Sequence, residues 1–212
     1  MLVIFDIDDV LYDASLLRRI ARERAVLSMI DSGLPVDFET AMEVLRSVIK
    51  DKGEDYGEHF NELLRRLHVK ESAKIVAAGV VAYHNAKFAF LEPLPGVVET
   101  LVKLRDEGIE LGVVSTGRAV KDWEKLIRLN LHHLFHKSWI GLRSWEEILI
   151  YVNRGVLVTA DPSAVDTLHG SGIKVIRVLR GKRSSVKTRH SPFREVKHAC
   201  EVLKIVRSLT EG

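Results

Sequence analysis

The chain has 212 residues, 46% of them hydrophobic and 29% charged, with a formal net charge of +3. This is the composition of a soluble globular protein with enough chain to bury a substantial core, and so small a net charge gives no reason to expect a nucleic-acid partner. The single cysteine, Cys200, excludes an intrachain disulfide and a cysteine-based metal site, and no apolar run approaches the ~18 residues of a membrane span.

The first element is an apolar run, Leu2-Val3-Ile4-Phe5, that leads straight into Asp6-Ile7-Asp8-Asp9. Such a run reads as a buried strand. Unpaired carboxylates cannot follow it into a core, so the strand must end there with its acids in an open site. Asp6 and Asp8 are two apart and fall on one side of extended chain. The run is too short and too acidic for a signal peptide and has no basic segment before it, so the expectation is a cytoplasmic protein without a membrane partner.

From about Asp13 to Phe90 the pattern is helical throughout. Leu16, Leu17, Ile20, Ala21, Ala25, Leu27 and Ile30 recur at helical spacing up to the break at Gly33-Leu34-Pro35. Asp37 is the expected N-cap of a second helix with the stripe Phe38, Ala41, Met42, Leu45 and Val48. Phe60, Leu63, Leu64 and Leu67 mark a third helix, and Glu71 to Phe90 a fourth, more apolar one. From Leu91 onward β and α patterns alternate. A turn at Pro93-Leu94-Pro95-Gly96 opens a helix closed by Gly108. A strand over Ile109 to Val114 ends in Ser115-Thr116-Gly117, and a helix runs from about Val120 to Leu131. Trp139-Ile140 reads as a short strand, and Ser144 as the cap of a helix reaching about Val152. Gly155 to Val158 is a strand ending at Asp161, and a short helix holding Asp166 to His169 follows. Ile173 to Leu179 is a strand, and a basic loop from Arg180 to Pro192 leads into a final helix over Phe193 to Leu209. Alternation of this kind predicts an α/β fold, a doubly wound parallel sheet covered on both faces. The predicted domains are an α/β core of residues 1–13 and 91–212 and an inserted all-helical domain of residues 14–90.

Two carboxylates at the C-terminal end of a central strand suit Mg²⁺ binding together with nucleophile and acid/base work. FDIDDVLYD resembles the first motif of the haloacid dehalogenase (HAD) superfamily, four apolar residues followed by Asp-x-Asp-x-Thr/Val. The other motifs follow in order. Ser115, closing Leu111-Gly112-Val113-Val114, is similar to the second motif. With the N–H groups of Thr116 and Gly117 it implies a cradle for phosphoryl oxygens. Arg143-Ser144-Trp145-Glu146-Glu147-Ile148 is similar to the stretch that carries the third-motif cation, with Arg143 in the cation's position and Lys137 and Arg154 as the competing basic residues. Asp161 and Asp166 resemble the acid pair of the fourth motif, with Ala160 where the family usually has Gly.

The resemblance implies a mechanism. Asp6 attacks phosphorus and forms an aspartyl-phosphate, and Asp8 protonates the leaving alcohol and then activates water. Mg²⁺ is held by Asp6, Asp161 and the backbone carbonyl of Asp8, with Asp166 as the further acid of the metal site, orienting a metal-bound water or the third-motif cation. The helical insert corresponds to the family's C1 cap, with Tyr12 near its hinge either lining the entrance, as a substrate-binding residue, or packing in the core. Dehalogenase relatives lack the acid at the Asp8 position, so Asp8 favours a phosphatase acting on a small phosphate ester. The alternatives are a 2-haloacid dehalogenase, a phosphomutase, or a non-catalytic protein binding a phospholigand or a partner. Monomer and homodimer are both open. The histidines of Leu131-His132-His133-Leu134-Phe135-His136 are expected to pack or face solvent, and the basic residues of the 177–189 stretch to form a solvated loop.

Overall fold

The computed structural model describes residues 1–54 and 56–210. The chain divides into two compact units, residues 1–15 with 91–212 and residues 16–90.

The larger unit is built on six parallel strands: β1 (Leu2–Asp6), β2 (Glu110–Ser115), β3 (Lys137–Ile140), β4 (Gly155–Thr159), β5 (Ile173–Val178) and β6 (Arg194–Val196). Their order across the sheet is β3-β2-β1-β4-β5-β6, and every neighbouring pair is parallel. Val3, Ile4 and Phe5 of β1 are buried, as an unbroken apolar run in a parallel sheet requires. The helices are α5 (Val97–Asp106), α6 (Ala119–Arg128), α7 (Ile148–Tyr151), α8 (Pro162–Thr167) and α9 (Cys200–Thr210). One core packs Ile4, Val114 and Leu157 of the sheet against Trp145, Ile148, Val152, Ala164, Val165 and Leu168. After β1 the chain moves to β2 on one side, and after β4 it moves to β5 on the other. The crevice between the carboxyl ends of β1 and β4 is therefore the topological switch point, the place where such sheets bind ligands.

The smaller unit holds α1 (Ala14–Asp31, whose first two residues belong to the larger unit), α2 (Phe38–Lys52), α3 (His59–Arg66) and α4 (Ala73–Phe90). Asp37 caps α2, accepting from the Thr40 N–H at 2.9 Å. Its buried stripe is Ala41, Met42, Leu45 and Val48. These pack with Val26, Met29, Leu63, Leu64 and Ile75 into a separate core. No helix among the described residues is long and apolar enough to cross a membrane.

The structure corrects the chain's last segment. The sequence reads as one helix from Phe193, but residues 194–196 form β6, and α9 begins only at Cys200. The Phe193 N–H donates to the Val175 carbonyl at 2.8 Å and the Leu179 N–H to the Val196 carbonyl at 2.7 Å. Three residues are too few to display strand alternation, and Val196, Ala199, Val202 and Val206, spaced at three, three and four, mimic helical spacing, so pairing with β5 decides the outcome.

Candidate active site

The site grows from the end of β1. Asp6 is its last residue, and its two carboxylate oxygens accept from the Ile7 N–H and the Thr159 hydroxyl, each at 2.7 Å. Thr159 is fully buried at the end of β4, and its hydroxyl oxygen also accepts from the Asp161 N–H at 3.0 Å. One threonine thus ties the two acid-bearing strand ends together. Burial pushes the Asp6 carboxyl up to about 7; the Thr159 hydrogen bond opposes this, while the charges of Asp8 and Asp161 add to it.

Asp8 is held from two sides. The Tyr12 hydroxyl donates to its Oδ1 at 2.7 Å, and Lys125 Nζ lies 2.8 Å from the same oxygen. Tyr12 is only 3% exposed, so of the two places the sequence allows it takes the packed one, with its hydroxyl on Asp8. Lys125 comes from α6, one turn beyond Asp122, whose Oδ1 it contacts at 2.7 Å. Burial works against the charge on Lys125, but the carboxylates of Asp8 and Asp122 outweigh it and hold the ammonium above its ordinary value. Asp122 is 3% exposed and its Oδ2 has no hydrogen-bond partner among the described residues. That oxygen lies against Gly117, where a Cβ would sit 2.3 Å from it. Glycine is required here because the turn after β2 passes directly over a buried carboxylate.

Ser115 is buried at the end of β2, the strand next to β1, and its Oγ accepts from the Gly141 N–H at 3.2 Å. Its carbonyl accepts from the N–H groups of Gly141 and Leu142. Thr116 and Gly117 follow, exposed, at the turn into α6. The sequence-predicted Asp6, Asp8, Ser115, Thr116, Gly117 and Asp161 therefore all lie at the carboxyl ends of three adjacent strands.

Two expected residues lie elsewhere. Arg143 is exposed; its backbone N–H donates to Glu147 Oε2 at 2.9 Å, and no ion pair joins its side chain to an acid among the described residues. Trp145 and Ile148 take the inward positions of that turn, which leaves Arg143 facing out. The cation on Asp8 is Lys125. Its sequence signal is faint: a lysine three residues after an aspartate that takes a buried helix position. Asp166 sits on α8 and accepts from the His190 N–H at 2.9 Å, with Arg189 Nε at 3.8 Å. The hydrogen bond from His190 holds its carboxyl below the usual range. Its partners belong to the basic loop, not to Asp6.

Asp161 caps α8. Its Oδ1 accepts from the Ser163 N–H at 2.9 Å and hydroxyl at 2.8 Å, and its Oδ2 pairs with Arg183. Among the described residues no three His, Cys, Asp or Glu side chains converge into a complete metal cage. The hard-oxygen donors Asp6 and Asp161, on neighbouring strand ends, nevertheless fit Mg²⁺, which keeps several waters and takes only one or two carboxylates beside substrate phosphate. His136 is exposed, its Nδ1 accepting from the Leu111 N–H at 3.0 Å.

This geometry has relatives. Residues 3–142 match the haloacid dehalogenase-like hydrolase family. Glyceraldehyde 3-phosphate phosphatase of Methanocaldococcus jannaschii is 36% identical over 228 residues, covering 98% of this chain and 97% of the relative. The enzyme of the same name from Methanopyrus kandleri is 38% identical, covering 99% and 98%. A Thermotoga maritima structure assigned as beta-phosphoglucomutase shares the fold with a TM-score of 0.72 at 20% identity, covering 98% of this chain and 99% of that one. Magnesium-bound YfnB of Bacillus subtilis does so with a TM-score of 0.63 at 14% identity, covering 97% of both chains. With its acids at or just beyond the ends of β1 and β4 and its hydroxyl at the end of β2, the chain belongs to the haloacid dehalogenase-like hydrolase family.

Proposed function

We propose that this protein is a Mg²⁺-dependent phosphatase that hydrolyses a small phosphate monoester, with glyceraldehyde 3-phosphate, the substrate named for its archaeal relatives, as the first candidate. The observation that carries the reading is the division of labour between Asp6 and Asp8. Asp6 is gripped by the Ile7 N–H and Thr159 at the switch point, and Asp8, two residues on, is gripped by Lys125 and Tyr12. Two carboxylates in such different surroundings suit two different roles.

Asp6 acts as nucleophile: its carboxylate oxygen bonds to phosphorus as the ester oxygen leaves. Asp8 gives that oxygen its proton and then takes one from the water that cleaves the aspartyl-phosphate. Lys125 balances the negative charge gathered at the strand ends, a role for which it lies close enough to Asp8. Ser115, with the N–H groups of Thr116 and Gly117, orients the phosphoryl oxygens. Mg²⁺, held by Asp6, Asp161 and the Asp8 carbonyl, would supply charge neutralisation and alignment. The helical unit is the natural carrier of substrate selectivity in this reading, as a C1 cap, and the cytoplasm its natural compartment. Retention of Asp8 favours phosphoryl transfer over dehalogenation, in which halide leaves without a proton.

The test is phosphate release from glyceraldehyde 3-phosphate, with Mg²⁺ and with EDTA, for wild type and Asp6→Asn. Mg²⁺-dependent release that the substitution abolishes is the expected result. Release that survives Asp6→Asn would refute the nucleophile assignment.

A further inference from the structure

The loop between β5 and β6 is fastened to the acidic end of the sheet at several points. Arg180 pairs with Asp13 at 3.1 Å. Gly181 has φ +70°, and a Cβ there would lie 2.2 Å from Asp9 Oδ2, so only glycine allows the backbone this close to the motif that follows β1. The Lys182 N–H donates to Ser15 Oγ at 3.3 Å. Behind the loop, Arg177 of β5 is 3% exposed, and its Nη2 donates to the carbonyls of Arg183 at 2.8 Å and Val186 at 2.6 Å. A guanidinium is costly to bury unless its donors are used; here Nη2 fixes the shape of the loop that carries Arg183, while Nε has no partner among the described residues.

The result is an Arg183 guanidinium set on Asp161. Both oxygens of that carboxylate are engaged, Oδ1 by Ser163 and Oδ2 by Arg183. Oδ1 already accepts twice, so a divalent cation that uses Asp161 meets the Arg183 guanidinium at Oδ2, where the two positive charges compete for one carboxylate oxygen. The Ser163 bonds are part of the local turn into α8 and stay with it. The Arg183 side chain is 60% exposed and can swing into water at little cost.

We propose that Arg183 is a positioning residue that competes with the divalent cation for Asp161: it occupies the carboxylate in the metal-free protein, yields it on metal binding, and thereby sets the metal affinity of the site. The inference rests on the reading of Asp6 and Asp161 as metal ligands. Arg177 acts through the loop, by keeping Arg183 in reach.

Calorimetric titration of Mg²⁺ into the substrate-free full chain tests this without reference to turnover. Arg183→Met removes the competitor and should bind Mg²⁺ about fivefold more tightly, equivalent to about 1 kcal/mol for an exposed ion pair. Arg183→Lys keeps the charge but loses the planar fork and should fall between wild type and Arg183→Met. Arg177→Met should reproduce the tightening by releasing the loop. Wild-type binding with equal or weaker affinity in Arg183→Met overturns the inference alone. Failure of wild type and every variant to bind Mg²⁺ would refute the metal reading and the inference with it.

Discussion

The Asp6 carboxyl predicts an unusual stability profile. Its folded-state value is about 7, against 3.8 for an unperturbed carboxyl, chiefly because burial disfavours the charge. The folded chain therefore binds the proton more tightly than the unfolded chain, and stability falls as pH rises from about 4 through 7. A shift of roughly three units corresponds to about 4 kcal/mol in full, at about 1.4 kcal/mol per unit. Between pH 5 and pH 8 about two of those units are crossed, or about 3 kcal/mol. Asp6→Asn removes the ionisation and keeps the shape. In EDTA the variant should melt above wild type by a margin that is larger at pH 8 than at pH 5 by about 6–12 °C, taking 2–4 °C per kcal/mol for a chain of this size. Titrating groups that are not coupled to Asp6 are common to both proteins and cancel in the comparison. Adding Mg²⁺ at pH 8 should narrow the gap by stabilising wild type, whose carboxylate pair is intact. Thermal unfolding followed by circular dichroism at the two pH values is sufficient. A margin independent of pH, or a variant less stable than wild type at pH 8, would refute the argument that Asp6 is held at an electrostatic cost.

Three further outcomes are expected. Lys125→Met should lower kcat about 10²–10³-fold, the usual effect of losing one charge-stabilising group, whereas Arg143→Ala should stay within about threefold of wild type because its side chain is exposed and unpaired with the acids; steady-state phosphate release separates the two, and the opposite ranking would return the cation's role to Arg143. Thr159→Val deletes the hydroxyl that holds the Asp6 carboxyl down, so the acid limb of kcat/KM should move to higher pH, and an unmoved limb would show that Thr159 does not tune the nucleophile. Gly117→Ala places a methyl group 2.3 Å from the buried Asp122 Oδ2 and should cost about 1–3 kcal/mol of stability, read as a drop in Tm; an unchanged Tm would mean that the turn relaxes freely.

Part of this fold is governed by neighbours along the chain and is readable from the residues alone. Alternation of apolar strands with amphipathic helices is a local pattern, and it carried the parallel sheet, the helical insert between β1 and α5, and the N-cap at Asp37. Asp6, Asp8, Ser115 and Asp161 were legible because each ends an apolar run, and parallel strands of one sheet bring their carboxyl ends to one edge. Tertiary structure decided what depends on facing and pairing. Residues 194–196 became a strand because β5 offered an unpaired edge, although their own spacing resembled a helix. Lys125 reached Asp8 because α6 packs with Asp122 and Leu126 turned inward, a rotation about the helix axis that no short motif encodes. Arg143 turned outward because Trp145 and Ile148 claimed the core, and Asp166 turned away because the basic loop, held by the buried Arg177, supplied its partners. Local periodicity fixes which residues share a face, but the direction a charged side chain takes is set by the nearest opposite charge in space, and that neighbour is chosen only when distant segments pack.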